Sequence, residues 1–303
     1  MSINAVKQFL TDNKISFREN EILARHTTFK IGGAADLWVM PEAAESVAKI
    51  CIFCKENNIP LTVIGKGSNL LVSDNGIEGV VLTLSELSKI EKLNATTIRA
   101  GAGTALTNLC NFALNESLSG LEFAFGIPGS VGGAVYMNAG AYGGEMSNCI
   151  ISTTVLTKEG EIKTIPVKDM ALGYRTSRFK TDGFIILSAD FALSPANDTD
   201  IKAAMDDFMM RRRDKQPLEY PSAGSTFKRP EGHFAGALIE NAGLKGLSVG
   251  GAEVSVKHAG FLINKNGATC RDVLELIKSV QNKVFERYKV KLEPEVIFIG
   301  REM

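Results

Sequence analysis

The segment 126–144, GIPGSVGGAVYMNAGAYGG, carries seven glycines, no charged side chain and a single amide, Asn138. Glycine tolerates positive φ and allows close backbone approach, so a run this dense presents main-chain N–H groups in place of side chains. Such surfaces hold phosphates and other anions in concave donor nests. A flexible linker would be rich in Ser, Lys or Glu, whereas Ile127, Val131, Val135, Tyr136 and Met137 require burial. Residues 123–144 are uncharged and long enough for a bilayer, but their glycines, Pro128 and Asn138 make a poor membrane helix. The run is therefore expected to be a buried loop facing a cofactor.

A chain of 303 residues exceeds what one core usually covers, so two or three domains are expected. Lys plus Arg and Asp plus Glu stand at 34 each, which argues against a dedicated nucleic-acid or anionic-membrane binder. The five cysteines show no framework spacing, and the opening MSINAVKQFL lacks the apolar stretch of a signal peptide, so a reducing cytoplasm is expected. Cys51 and Cys54 form a CxxC inside PEAAESVAKICIFCKENNIP. That stretch has a helical pattern and no second pair accompanies it, so both are read as core cysteines.

Periodicity sets out the rest. An amphipathic helix opens the chain, with Val6, Phe9 and Leu10 on one face. Strands at 35–39 and 61–64 flank the cysteine-bearing helix as a β-α-β unit. Further strands are expected at 80–84, 97–100, 151–157, 161–166 and 184–193, and a helix over 104–116. SPANDTD at 194–200 reads as a linker, followed by a helix over 200–215 that ends in three arginines, and cations there complement the macrodipole. Thr269-Cys270-Arg271-Asp272 fits a capping box for a last helix with the stripe Val273, Leu276, Ile277, Val280 and Val284. A strand over 296–299 closes the chain.

A second glycine cluster, Gly65-Lys66-Gly67-Ser68-Asn69, follows directly on the strand at 61–64. A strand running into glycines and small polar residues can hold a pyrophosphate by backbone donors. No Walker loop is present, because Gly-Lys-Ser/Thr is missing at the required spacing. Gly101-Ala102-Gly103-Thr104-Ala105-Leu106 lacks the third glycine of a dinucleotide fingerprint and is read as a tight turn into a helix.

GKGSN (65–69), GIPGSVGGAVYMNAGAYG (126–143), YRTSRFK (174–180), SAGSTFKRP (222–230) and LEPEV (292–296) stand in an order that resembles the UDP-N-acetylenolpyruvoylglucosamine reductases. The resemblance runs from about Arg25 onward. It implies an α+β architecture: an FAD-binding fold of the vanillyl-alcohol-oxidase type in two α+β subdomains, with a third, substrate-binding α+β domain. The divisions expected are 1–84 with 289–303 returning to it, 85–198, and 199–288. The resemblance also implies non-covalent FAD, NADPH as reductant, and reduction of an enolpyruvyl UDP-sugar to UDP-N-acetylmuramate for the bacterial cell wall. The partners expected are these small molecules, with no nucleic acid and no membrane, for a cytoplasmic monomer. Longer family members carry a substrate-capping tyrosine loop between the YR and serine motifs. Here that interval holds only the short linker and the arginine-ended helix, so the chain resembles the shorter form.

By the same resemblance Ser225 is the proton donor, Arg175 the active-site arginine and Glu295 the carboxylate near the C-terminus. FAD contacts are expected from Gly65, Lys66, Gly67, Ser68 and Asn69, and from Gly126, Pro128, Gly129, Ser130, Gly132, Gly133, Asn138, Gly140, Ala141 and Tyr142. Lys215, Lys228 and Arg229 are candidate cations for the UDP diphosphate. Chemically, a charged guanidinium pairs with a carboxylate in bidentate geometry, and a positioned hydroxyl can protonate an enolate carbon. Glu295, protonated, could donate to the developing aci-carboxylate; ionised, it could orient Arg175 or a water. Arg178 is read as a surface or packing cation and Glu293 as solvent-facing. The three histidines offer no metal constellation, so no metal is expected. Two rival readings are a covalent flavin oxidase of the same fold and a non-catalytic nucleotide-binding protein. His26 lies well upstream of the first glycine loop, which disfavours the first; Ser225, Arg175 and Glu295 together disfavour the second.

Overall fold

The computed structural model describes residues 3–302. The chain divides into two compact units and crosses between them several times. One unit comprises the residues up to Glu19, Leu37–Lys66 and Gly79–Arg211; the other comprises Asn20–Asp36, Gly67–Glu78 and the residues from Arg212 onward. Each has its own apolar core. The sheet Ser16–Ile22, Ala34–Met40, Ile77–Thr83, Leu61–Ile64, in that spatial order, contains three strands that pass from one unit into the other.

The first unit is organised on a five-stranded antiparallel sheet: Ile162–Pro166, Ile150–Leu156, Ile185–Ala192, Thr97–Gly101, Ile90–Lys92. The strand Leu61–Ile64 pairs parallel with Val80–Thr83 and delivers the chain to the first glycine loop. The opening helix Ile3–Asp12 buries Val6 and Leu10, and helix Leu106–Asn115 buries Leu106, Leu109, Cys110 and Ala113. Helix Ala44–Glu56 buries Cys54, while Cys51 is half-buried. Burial pushes the Cys51 thiol up to about 12, with Cys54 adding to the effect, and Cys54 up to about 11. Thiols held that far above neutral pH are poor nucleophiles and ligands.

The stretch expected as a linker is built into the first unit. Ser194–Pro195 pairs with Leu118–Ser119, and Ala196 N–H donates to Ser117 O at 2.9 Å. The following helix, Asp198–Lys215, starts two residues early because Asn197 Oδ1 accepts Thr199 N–H at 2.8 Å as an N-cap. Composition signalled a chain break; a short partner strand with free backbone groups removed it.

The second unit contains the antiparallel sheet Ser222–Ser225, Phe261–Asn264, Ala252–Val254, Ser248–Val249. Helix Cys270–Tyr288 buries Cys270 and the five expected stripe residues. Its capping box is formed, with Thr269 accepting from Asp272 N–H and Asp272 from Thr269 N–H, a motif worth about 1 kcal/mol. Ile297–Ile299 lies parallel to Leu70–Val72, with Ile297 opposite Leu70. Among the described residues no helix is long and apolar enough to cross a membrane.

Candidate functional site

The glycine run is not a single loop. Ser130 caps a short helix, Val131–Tyr136, accepting from Gly133 N–H at 3.4 Å. Gly132 sits where that helix is pressed against the chain after strand Thr97–Gly101. Gly132 N–H donates to Ala102 O at 2.9 Å, and a β-carbon on Gly132 would stand 2.9 Å from Ala102 Cβ. The backbone N–H groups of Ile127, Gly129, Val131, Gly132, Met137, Asn138 and Ala139 all have backbone acceptors. Much of the expected donor lining is therefore spent inside the unit, and the glycines serve close packing first.

Beyond the helix the chain turns left-handed at Asn138 (φ 43°) and Tyr142 (φ 53°), and Arg175 shares that conformation (φ 56°). Such backbone costs a non-glycine residue about 1–3 kcal/mol and clusters at functional sites. Tyr174 and Arg175 form the tip of a two-residue hairpin closed by Gly173 and Thr176, whose N–H groups each donate to the other's carbonyl. Three bonds tie this hairpin to the glycine run. Asn138 Nδ2 donates to Gly173 O at 3.2 Å, Ser177 Oγ to Tyr136 O at 2.6 Å, and Arg175 Nη2 to Gly140 O at 3.3 Å. The other end of the buried Asn138 amide accepts Ser147 N–H at 3.0 Å. Asn138 thus fixes where Arg175 stands. Tyr142 is partly exposed and lies parallel to Phe208, centroids 4.8 Å apart. Arg178, read as a packing cation, is paired with Asp182 at 2.5 Å.

The first glycine loop has the complementary character. Among the described residues the backbone N–H groups of Gly65, Lys66, Gly67 and Ser68 donate to no protein acceptor, a consecutive donor set suited to phosphate oxygens. A β-carbon on Gly65 would stand 2.7 Å from Ser130 Oγ. Gly67 is left-handed (φ 60°), and a β-carbon there would collide with His26 O. The His26 ring is itself engaged, Nε2 lying 2.8 Å from Glu21 Oε1.

One candidate was missed from sequence. Thr104 Oγ1 is buried and has no hydrogen-bond partner among the described residues; buried hydroxyls are otherwise paired, so it is a candidate for a ligand. Gly101-Ala102-Gly103-Thr104 is nonetheless a tight turn: β-carbons on Gly101 and Gly103 would overlap Leu87 O and Leu84 O. The free amides at 65–68 suit a cofactor carrying a diphosphate.

Ser225, Glu295 and Asn69 meet in the second unit. Glu295 N–H donates to Thr226 O at 2.7 Å, Lys228 N–H donates to Glu293 O at 2.9 Å, and Phe227 bridges Pro294. Ser225, which ends strand Ser222–Ser225, and Glu295, two residues before strand Ile297–Ile299, are therefore held on neighbouring stretches of chain. Asn69 Nδ2 donates to Glu295 O at 3.1 Å, bringing in the first glycine loop. Ser225 is exposed, Glu295 half-buried, and a β-carbon on Gly224 would meet no atom within 4 Å, so there is room beside the serine. Lys228 Nζ lies 3.1 Å from the exposed Glu293 carboxylate. Arg229 stacks on Phe234, and Lys215 is exposed at the end of its helix.

Comparison with known proteins gives family matches over two parts of the chain. Residues 35–166 match the FAD binding domain family, and residues 216–299 match the C-terminal domain family of UDP-N-acetylenolpyruvoylglucosamine reductase. The Clostridium novyi protein of that name is 49% identical over 302 residues, covering 100% of this chain and 98% of its own length. The Listeria monocytogenes one is 50% identical over 288 residues, 95% of this chain and 96% of its own. The crystal structure of UDP-N-acetylenolpyruvylglucosamine reductase from Thermus caldophilus superposes with a TM-score of 0.81 at 34% identity, covering 94% of this chain and 99% of that one.

Proposed function

The chain belongs to the UDP-N-acetylenolpyruvoylglucosamine reductase family, and from that premise we propose which of its residues carry the reaction. It is an FAD-dependent NADPH oxidoreductase with a fold of the vanillyl-alcohol-oxidase type. It converts the enolpyruvyl ether of the UDP-sugar to UDP-N-acetylmuramate, a peptidoglycan precursor. Bound FAD, renewed by NADPH, supplies the hydride for the terminal carbon. Everything else falls to the chain. Gly65–Asn69, Ser130 and Thr104 would hold the cofactor, together with the exposed edges of the second run at Gly126, Pro128, Gly129, Gly132, Gly133, Gly140, Ala141 and Tyr142. Asn138 would act through the position of Arg175.

Arg175 pairs with the substrate carboxylate and draws off the charge that accumulates there. Ser225 Oγ delivers a proton to the carbon bearing that carboxylate. Glu295, in its protonated form, donates to the same developing charge. Lys215, Lys228 and Arg229 offer cations to the diphosphate. We further propose the three-part division 1–84 with 289–303, 85–198 and 199–288. We assign the enzyme to the cytoplasm, where UDP-sugars and NADPH are found, acting as a monomer without nucleic-acid or membrane partners.

The observation that carries this reading is the clamp in the second unit, where Glu295 N–H bonds Thr226 O and Asn69 bonds Glu295 O. It supports a serine and a carboxylate working side by side next to a cofactor loop. The parent should purify with oxidised flavin, bleach with NADPH, and recover colour anaerobically on addition of the enolpyruvyl UDP-sugar. Ser225→Ala should bleach at the parental rate and recover colour about 100-fold or more slowly, the usual size of a lost proton donor. Recovery at the parental rate would sink the assignment of Ser225.

A further inference from the structure

Phe234 is 63% exposed, yet its ring is held: the Arg229 guanidinium carbon lies 4.0 Å from the ring centroid, within the range of a cation–π contact. The turn between them, Pro230–His233, is closed by His233 N–H donating to Pro230 O at 3.1 Å, with Gly232 left-handed (φ 68°) and open space around it. Both ends of this loop are anchored. On one side the chain leaves Ser225 through the buried Thr226 and Phe227 and the Lys228 N–H to Glu293 O bond. On the other, Phe234 O accepts Leu238 N–H at 3.1 Å, opening helix Ala235–Asn241, whose Ala235, Leu238 and Ile239 enter the core. An exposed aromatic ring is thus fixed five residues beyond Arg229 and nine beyond Ser225, on a loop anchored at both ends.

We propose that Phe234, backed by Arg229, is a specificity-determining platform for the nucleotide end of the substrate. The uracil base stacks on the open face of the ring, and the guanidinium edge engages the diphosphate. This rests on the reading of the chain as a UDP-sugar reductase. A pyrimidine nucleoside diphosphate combines a flat π-face with two charged phosphates, and an aromatic ring with a guanidinium stacked on it answers both features at once. Every base has a π-face, so stacking contributes affinity and does not depend on a hydrogen-bond pattern.

The test uses the FAD-loaded enzyme and three probes: the enolpyruvyl UDP-sugar as substrate, and UDP and inorganic pyrophosphate as inhibitors. Truncating a stacked aromatic costs about 1–3 kcal/mol, so Phe234→Ala should raise the substrate KM and the UDP inhibition constant roughly 5- to 150-fold. It should raise the pyrophosphate constant less than two-fold. Phe234→Tyr should restore both nucleotide constants, and Arg229→Ala should weaken UDP and pyrophosphate together. The proposal is overturned if Phe234→Ala leaves KM and UDP inhibition within two-fold of the parent. An equal loss toward pyrophosphate, or toward NADPH in the flavin-bleaching reaction, or no rescue by tyrosine, also overturns it. A parent whose flavin does not recover colour with the UDP-sugar would instead refute the assigned activity, independently of Phe234.

Discussion

Gly67→Ala separates the structural from the binding role of the first glycine loop. Gly67 is left-handed, and a β-carbon there would collide with the His26 carbonyl oxygen and lie 2.9 Å from Thr27 Cα. Neither is the tip of a flexible side chain, so the backbone itself must move. Left-handed φ costs alanine about 1–2 kcal/mol. The displacement also endangers the 3.3 Å bond from Thr28 N–H to Gly67 O, worth about 0.5–1.5 kcal/mol. Together these give a loss of roughly 1.5–3.5 kcal/mol. Gly143→Ala is the control, since it is also left-handed (φ 88°) but a β-carbon there meets nothing within 4 Å. It should lose only the conformational share, about 1–2 kcal/mol. The entropy that alanine removes from the unfolded chain is common to both variants and cancels in the comparison. Urea unfolding of the apoproteins measures the stabilities, and quenching of flavin fluorescence measures FAD affinity. Because the amides at 65–68 are the free donors, Gly67→Ala should weaken FAD at least ten-fold, equivalent to one charge-assisted hydrogen bond of about 1.5–3 kcal/mol. If the two variants unfold within 0.5 kcal/mol of each other (about the scatter between independent measurements) and bind FAD alike, the steric argument and the loop's assignment both fail.

Asn138→Ala removes both ends of the amide that joins Gly173 O and Ser147 N–H. It should cost about 2–4 kcal/mol and reduce turnover through Arg175, whereas an effect on FAD affinity alone would refute the positioning role. Asp190 is buried, which by itself raises its pKa, but hydrogen bonds from Arg99 at 2.7 Å and Ser152 at 2.8 Å outweigh that and hold it below the usual aspartate value. Its contribution is therefore present above the unfolded-state pKa and lost as pH falls through the lowered one. Unfolding measured from pH 7 downward should show the Asp190→Asn penalty shrinking only on the acid side. A penalty independent of pH would assign the effect to packing. Cys51, Cys54, Cys110 and Cys149, each raised by burial, should react with an aromatic disulfide reagent at pH 8 only after denaturation. Rapid reaction of the native CxxC would overturn its reading as core.

Much of the local structure was legible because it depends on short-range chemistry. The capping box at Thr269 and Asp272 and the apolar stripe behind it specify their helix without help. So do the alternation and bounding residues of strand Leu61–Ile64. The stretch 194–200 misread because Pro195, Asn197 and Asp198 are turn residues by composition, while the strand that recruits Ser194–Pro195 lies at Leu118–Ser119. The packing role of Gly132 was hidden in a similar way: only its approach to Ala102 shows that it lets a helix pack.

By itself the sequence determined the motifs and their order, hence the family, the cofactor and the chemistry expected of Ser225, Arg175 and Glu295. Tertiary structure alone decided how those residues are held. Asn69 reaches Glu295 across 226 positions of chain. The strand at 297–299 returns to lie beside 70–72, and a buried amide at 138 sets the hairpin that presents Arg175. The physical reason is that a hydrogen bond between distant segments leaves no periodicity in either of them. It exists only once the two backbones have been brought within 3 Å or so of each other.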